Sequence, residues 1–103
     1  MSVASSFAER YQREARLIIL RGLAEEIDGA LSAKLMSAKL ETFGINRSLD
    51  WIGEEYRKLA DLGAVSIIEA GSVLIARISQ KGRDHLALKV RIGGVDQPSE
   101  PII

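Results

Sequence analysis

Apolar residues recur every three or four positions over the first quarter of the chain, which is the spacing of one face of an α-helix. We therefore predict a long helix over residues 4–27, ended by Asp28-Gly29. Leu17 and Ile19 lie off the main stripe, so the apolar arc is wide, which suggests cover on two sides, by the protein's own core and by a second subunit. The stripe itself consists of Phe7, Tyr11, Ala15, Ile18, Leu20, Leu23 and Ile27.

Two shorter helices are predicted next, each introduced by a serine. Ser32 and Ser48 precede the two periodic runs, and a serine hydroxyl at that position accepts a backbone N–H that the first turn leaves unpaired. Gly44 and Gly63 are typical of the residues that end such helices. The inward faces are predicted to carry Leu35, Met36, Leu40 and Phe43 in the second helix, and Ile52, Tyr56, Leu59 and Leu62 in the third.

A β-hairpin and a last helix follow. Residues 64–69 and 73–78 are predicted strands, and the Gly71-Ser72 pair between them fits a tight turn because glycine tolerates positive φ. Ser79 is predicted to cap a fourth helix over residues 80–90. The remaining residues include two glycines and two prolines without a period, so they are predicted to be extended or loosely docked.

This order of elements predicts the fold class. We expect a mainly α protein with a β-hairpin, in the order α-α-α-β-β-α with a long N-terminal helix. Two short helices with a tight turn between them, followed by a hairpin, make a winged helix-turn-helix, in which the hairpin is the wing. The predicted domain covers residues 1–91, and an extended C-terminal tail covers residues 92–103.

Three segments of the sequence carry a family resemblance: residues 14–20 in the first helix, residues 59–65 leading into the first strand, and residues 79–84 after the second strand. In these segments and their order the chain resembles the small ArsR-like winged-helix proteins of Mu-like phages and prophages. The resemblance implies a DNA-binding transcriptional regulator that forms a homodimer through its first and last helices. The dimer residues expected on this basis are Phe7, Tyr11, Leu17, Ile18, Leu86 and Val90.

A helix-turn-helix presents the start of its second helix to base edges and its turn to phosphates. Arg47 is the candidate for a phosphate or guanine contact, whereas Asp50 and Glu54 can accept from cytosine amino groups but repel phosphates. Trp51 is predicted to pack against the second helix or the hairpin, or alternatively to be an exposed anchor for a protein partner. The expected contacts to double-stranded DNA are Arg47, Ser48, Asp50, Trp51, Glu54, Arg57, Lys58, Gly71 and Ser72.

The charge pattern favours a second hypothesis. The chain carries 14 Lys and Arg against 14 Asp and Glu, so the strongly basic surface typical of nucleic-acid binding is absent. Residues 46–63 have three cations against four carboxylates, and the hairpin turn has no cation. The alternative is therefore a phage protein-interaction module for DNA packaging or morphogenesis, which keeps the winged-helix fold without binding DNA.

The sequence contains no pattern typical of a metal site or a catalytic site. Cysteine is absent and His85, expected at the surface or its boundary, is the one histidine, so thiolate and multi-histidine sites are excluded. We expect no metal, no cofactor and no enzymatic activity. The longest apolar run covers residues 17–20, far short of a membrane span, and the first six residues lack an export signal. A soluble, cytoplasmic protein is the expectation.

Overall fold

The computed structural model describes residues 3–102, and the side chains of residues 6–102. Within that part the chain forms four helices and a three-stranded antiparallel sheet, an α+β arrangement consistent with the predicted mainly α protein with a hairpin. In chain order the elements are α1 (Val3–Ala24), β1 (Ala30–Ser32), α2 (Ala33–Glu41), α3 (Leu49–Asp61), β2 (Val65–Ala70), β3 (Val73–Ile78) and α4 (Gln80–Leu86).

The sheet contains a strand that the sequence pattern did not predict. Strand β1 pairs with β3 antiparallel, from Ala30 opposite Arg77 to Ser32 opposite Ile75. The predicted hairpin forms the rest of the sheet, so the strand order is β1-β3-β2. Three residues are too few to show an alternating pattern, and β1 exists because the free edge of β3 offers it hydrogen-bonding partners.

The three predicted serine caps are confirmed. The hydroxyls of Ser32, Ser48 and Ser79 accept the backbone N–H of the residue three positions further along the chain. Each cap satisfies a donor that the first helical turn leaves open. Gly44 and Gly63 lie just after α2 and α3 with φ of +76° and +78°, the conformation that ends a helix and that glycine adopts without strain.

The buried residues differ in part from the core that the sequence predicts. Ile19, which lies off the predicted stripe, is fully buried, whereas Phe7 is 64% exposed and Ile27 lies beyond the end of α1 in full contact with solvent. In α2 the buried positions are Ala33, Met36 and Leu40, so Leu35 projects from the other side of the helix. Phe43 follows the end of α2 and is also exposed, because the helix ends before its side chain can turn inward.

The last predicted helix is shorter than expected. Helix α4 ends at Leu86 instead of residue 90, and Leu88 has a φ of +61°, which no helix accommodates. The chain then turns back over the core, where Ile92 and Val95 are buried. Its backbone is held by hydrogen bonds from Asp96 N to the Arg13 carbonyl and from Ile102 N to the Leu86 carbonyl, so the segment is irregular but docked.

His85 is an interior residue, contrary to the surface or boundary position expected from the sequence. Its side chain is fully buried beneath the C-terminal segment. The backbone N–H of Ile92 donates to Nδ1 at 3.1 Å, so the ring proton lies on Nε2, which is 2.9 Å from the Asp96 carbonyl oxygen. Both ring nitrogens are therefore occupied in holding the segment against α4.

The helices among residues 3–102 also bear on membrane insertion. No helix in this part of the chain combines the length and the apolar character needed to cross a bilayer.

Candidate nucleic-acid interface

Helix α3 is fixed to the body of the protein by one apolar face. Ile52, Tyr56 and Leu59 are buried beneath it. The Tyr56 hydroxyl donates to the Leu31 carbonyl oxygen at 3.0 Å, which joins α3 to the end of β1. Burial raises the pKa of Tyr56 well above its usual value, so the hydroxyl remains a protonated donor. The opposite face of α3 is left to solvent.

An arginine guanidinium lies against two aromatic rings at the start of α3. The Arg47 guanidinium carbon is 4.7 Å from the centre of the Tyr11 ring and 5.4 Å from the centre of the Trp51 ring. The two rings meet edge to face at 6.0 Å. Trp51 is half-buried, and its ring contact is with α1, an element that the sequence did not indicate. These distances are within the range of cation–π contacts, and Arg47 is exposed, so its N–H groups remain accessible to a ligand.

One of the acidic residues assigned to α3 does not reach its surface. Glu55 is 4% exposed and forms a two-point ion pair with Arg16 of α1, at 3.0 Å to Nε and 3.3 Å to Nη2. Arg16 also donates to the Gly94 carbonyl oxygen at 3.0 Å. The exposed charges of residues 46–63 are consequently three cations, Arg47, Arg57 and Lys58, and three carboxylates, Asp50, Glu54 and Asp61.

A salt bridge joins α3 to the hairpin. Arg57 Nη2 lies 2.7 Å from Oε1 of Glu69 on β2, and both side chains are more than half exposed. The hairpin turn consists of Gly71 and Ser72, both exposed, with Gly71 at a φ of +64°. The turn carries no cation, and Val73 beside it is 46% exposed.

The predicted DNA-contacting residues thus fall on one structural unit. Arg47, Asp50, Glu54, Arg57 and Lys58 are exposed on α3 or just before it, and the bridge to Glu69 ties that helix to the hairpin that carries Gly71 and Ser72. Ser48 is exposed as well, but its hydroxyl is engaged by the N–H of Trp51.

The predicted dimer residues are more dispersed. Phe7 is exposed, and Tyr11, Leu17 and Ile18 are half-buried on α1. Val90 is 39% exposed but lies beyond the end of α4. Leu86 is 1% exposed and belongs to the core, because α4 turns that position towards the interior; it offers no surface for a subunit contact.

Three features of this unit were missed from sequence: the Arg16–Glu55 pair, the Tyr56 hydroxyl bond and the partnership of Arg57 with Glu69. No local signal marks these contacts, since the partners lie 39, 25 and 12 residues apart in the chain. Among residues 3–102, no group of three or more His, Cys, Asp or Glu side chains is placed to hold a metal ion.

Comparisons with models of protein families, with curated proteins and with solved structures gave no match to this chain. An assignment of function therefore rests on the fold and on the surface formed by α3 and the hairpin.

Proposed function

We propose that this chain is a winged helix-turn-helix protein that binds double-stranded DNA through α3 and the β2–β3 hairpin. The observation that carries the proposal is the sheet order β1-β3-β2. Strand β1 leads into α2, the hairpin follows α3, and β3 returns to pair with β1. In a winged helix this arrangement makes α2 and α3 the helix-turn-helix and the hairpin the wing.

The shape of α3 supports the proposal. The helix has 13 residues, one face anchored in the core and the other exposed along its length. The major groove of B-DNA is wide enough to admit an α-helix, and a helix-turn-helix places the N-terminal residues of its second helix against base edges. Asp50 and Glu54 occupy these positions and can accept hydrogen bonds from cytosine amino groups.

Arg47 supplies the phosphate or guanine contact in this proposal. Cation–π contacts with Tyr11 and Trp51 restrict the guanidinium before DNA binds, which lowers the entropy lost on binding. The burial of Glu55 also supports the assignment, since it removes one carboxylate that would otherwise repel phosphates.

In its full form the proposal is a transcriptional regulator of a phage or prophage that acts as a homodimer. The subunit contact is assigned to the exposed side of α1, through Phe7, Leu17 and Ile18. Two-fold symmetry would then present two copies of α3 to successive major grooves of a palindromic site.

The test is fluorescence anisotropy with a labelled duplex and three variants. Arg47→Ala is expected to weaken DNA binding severalfold, whereas Glu69→Gln is expected to strengthen it, because it removes a carboxylate and releases Arg57 from its salt bridge. Arg21→Ala is the matched control, since Arg21 is exposed ten residues beyond Tyr11 along α1, outside α3 and the hairpin. Unchanged affinity in both Arg47→Ala and Glu69→Gln would refute the assignment of this surface.

A second candidate function is a phage protein-interaction module. It is favoured by the hairpin turn, which has no cation, and by the exposure of Leu49 and Val73, at 51% and 46%. Apolar side chains at the centre of a surface are typical of protein contacts. Failure of the folded protein to bind any duplex at low salt would favour this candidate over the first.

A further inference from the structure

A concave site lies away from α3. A cavity of about 480 Å³ opens between the last turns of α1 and helix α4, and Ile102 of the C-terminal segment closes one side. We call it the α1–α4 pocket. It is lined by Arg21, Ala24, Glu25, Gln80, Arg83, Asp84, Leu86, Ala87, Lys89 and Ile102. Its volume falls within the range of small-molecule sites, about 300–1,000 Å³.

Three cations in this pocket have no acidic partner. None of the ion pairs found among residues 3–102 involves Arg21, Arg83 or Lys89, and all three are exposed. The pocket also contains two carboxylates. One of them, Asp84, already accepts a hydrogen bond from the Gln80 amide at 2.9 Å. With three cations against two carboxylates, the pocket carries a net charge of +1, and none of its cations is held in an ion pair.

The rest of the lining is apolar. Ala24, at the end of α1, and Ala87, just after α4, are half-buried in the lining, and Ile102 adds a larger aliphatic surface. Ile102 is held there because its backbone N–H donates to the Leu86 carbonyl at 2.8 Å. Aliphatic walls combined with a few charged groups are typical of sites that orient a small ligand by its polar end.

We propose that the α1–α4 pocket binds a small organic anion, a carboxylate attached to an apolar body. The carboxylate pairs with Arg83 and Arg21, and the apolar body lies on Ala24, Ala87 and Ile102. Guanidinium groups suit this task because their planar fork matches both oxygens of a carboxylate. The charge complementarity selects an anion over a neutral or cationic compound of the same shape.

Arg83 also connects the pocket with the start of the sheet. Its guanidinium lies against Gly29, where a Cβ would approach Nη2 to 2.7 Å, and Gly29 directly precedes β1. The pocket is separate from the proposed DNA surface: Arg21 lies ten residues beyond Tyr11 along α1, which corresponds to about 15 Å. The proposed ligand binding and the proposed DNA binding involve different residues, so each can be tested without the other.

The test uses 2-naphthoate as the probe and follows backbone amide shifts of the full chain by NMR. We expect saturable binding with a Kd of about 1 mM or tighter, with the largest shifts in residues 83–89 and at Ile102. The neutral 2-naphthol is expected to bind about tenfold more weakly, because it lacks the carboxylate that makes charge-assisted hydrogen bonds.

Matched variants test the charge requirement. Arg83→Gln and Arg21→Gln are expected to weaken 2-naphthoate binding, and Glu25→Gln to strengthen it by removing a like charge. Arg10→Gln is the control, an exposed arginine on α1 about 16 Å from Arg21 along the helix axis. Equal binding of naphthoate and naphthol, shifts centred outside the pocket, or an affinity that neither Arg83→Gln nor Arg21→Gln changes would each overturn the proposal.

Discussion

At the scale of single residues, the buried polar side chains have partners that lie far away in the sequence. Arg16 and Glu55 lie 39 positions apart, and His85 reaches Asp96 only because the C-terminal segment folds back over α4. Glu55 and His85 both looked like surface residues in the sequence, since charged residues and histidine are seldom fully buried. Their burial depends on tertiary contacts that no local spacing encodes.

The Arg16–Glu55 pair leads to a prediction about stability. Arg16→Ala leaves Glu55 buried without its partner and is expected to lower the free energy of unfolding by about 3–5 kcal/mol. Chemical denaturation measures this change. The control is Arg10→Ala, an exposed substitution expected to change stability by less than about 0.5 kcal/mol. Equal stability of the two variants would show that Glu55 finds solvent when Arg16 is removed.

At the scale of elements, the sequence predicts the features that depend on contacts between residues close together in the chain. Caps at Ser32, Ser48 and Ser79 depend on contacts three residues away, and the starts of the three helices that follow them were correctly predicted. The hairpin was predicted for the same reason, since its two-residue turn is encoded by Gly71-Ser72. Strand β1 was missed because its pairing depends on β3, more than 40 residues away.

The start of α4 provides a test at this scale. Gly82 is buried in the first turn, where a Cβ would overlap the Ala64 carbonyl oxygen and approach Cγ1 of Ile78 to 2.8 Å. The tight contact lets Ser79 cap the helix and donate to the Gly63 carbonyl oxygen at 2.7 Å. This close packing explains why position 82 is a glycine.

Gly82→Ala is expected to destabilise the protein by about 1–3 kcal/mol, because the added methyl group must push α4 away from the start of β2. Thermal or chemical denaturation measures the effect. Gly93→Ala is the matched control, since a Cβ there meets no atom within 4 Å and should alter stability by about 0.5 kcal/mol or less. A stability for Gly82→Ala equal to that of the control would contradict the packing described for α4.

At the scale of the whole molecule, α1 has two environments. Ala15, Ile19, Leu20 and Leu23 are fully buried in the core. The first half of the helix instead projects beyond it, with Phe7 exposed and packed only loosely against Tyr11, at 6.2 Å between ring centres. The apolar residues of α1 are therefore divided along the helix between the core and an exposed surface that is available to a second subunit.

That division predicts how the oligomer responds to substitution. We expect the wild-type chain to sediment as a dimer, with twice the 11.3 kDa mass of the monomer. Phe7→Glu should yield monomers without loss of fold, because it places a charge in the subunit contact and removes no buried side chain. Val73→Glu, at the hairpin, should leave the dimer intact. Dissociation by Val73→Glu alone would move the subunit contact from α1 to the hairpin.

The most direct test of the central proposal is a salt titration of duplex DNA binding by the wild-type protein. Arg47, Arg57 and Lys58 are the exposed cations on and just before α3. Contacts from all three to phosphates give an expected slope of log Kobs against log salt concentration of about −2.7 per protomer. Binding with a slope of this size supports a DNA-binding surface on α3. No detectable binding at low salt by the folded protein would contradict it.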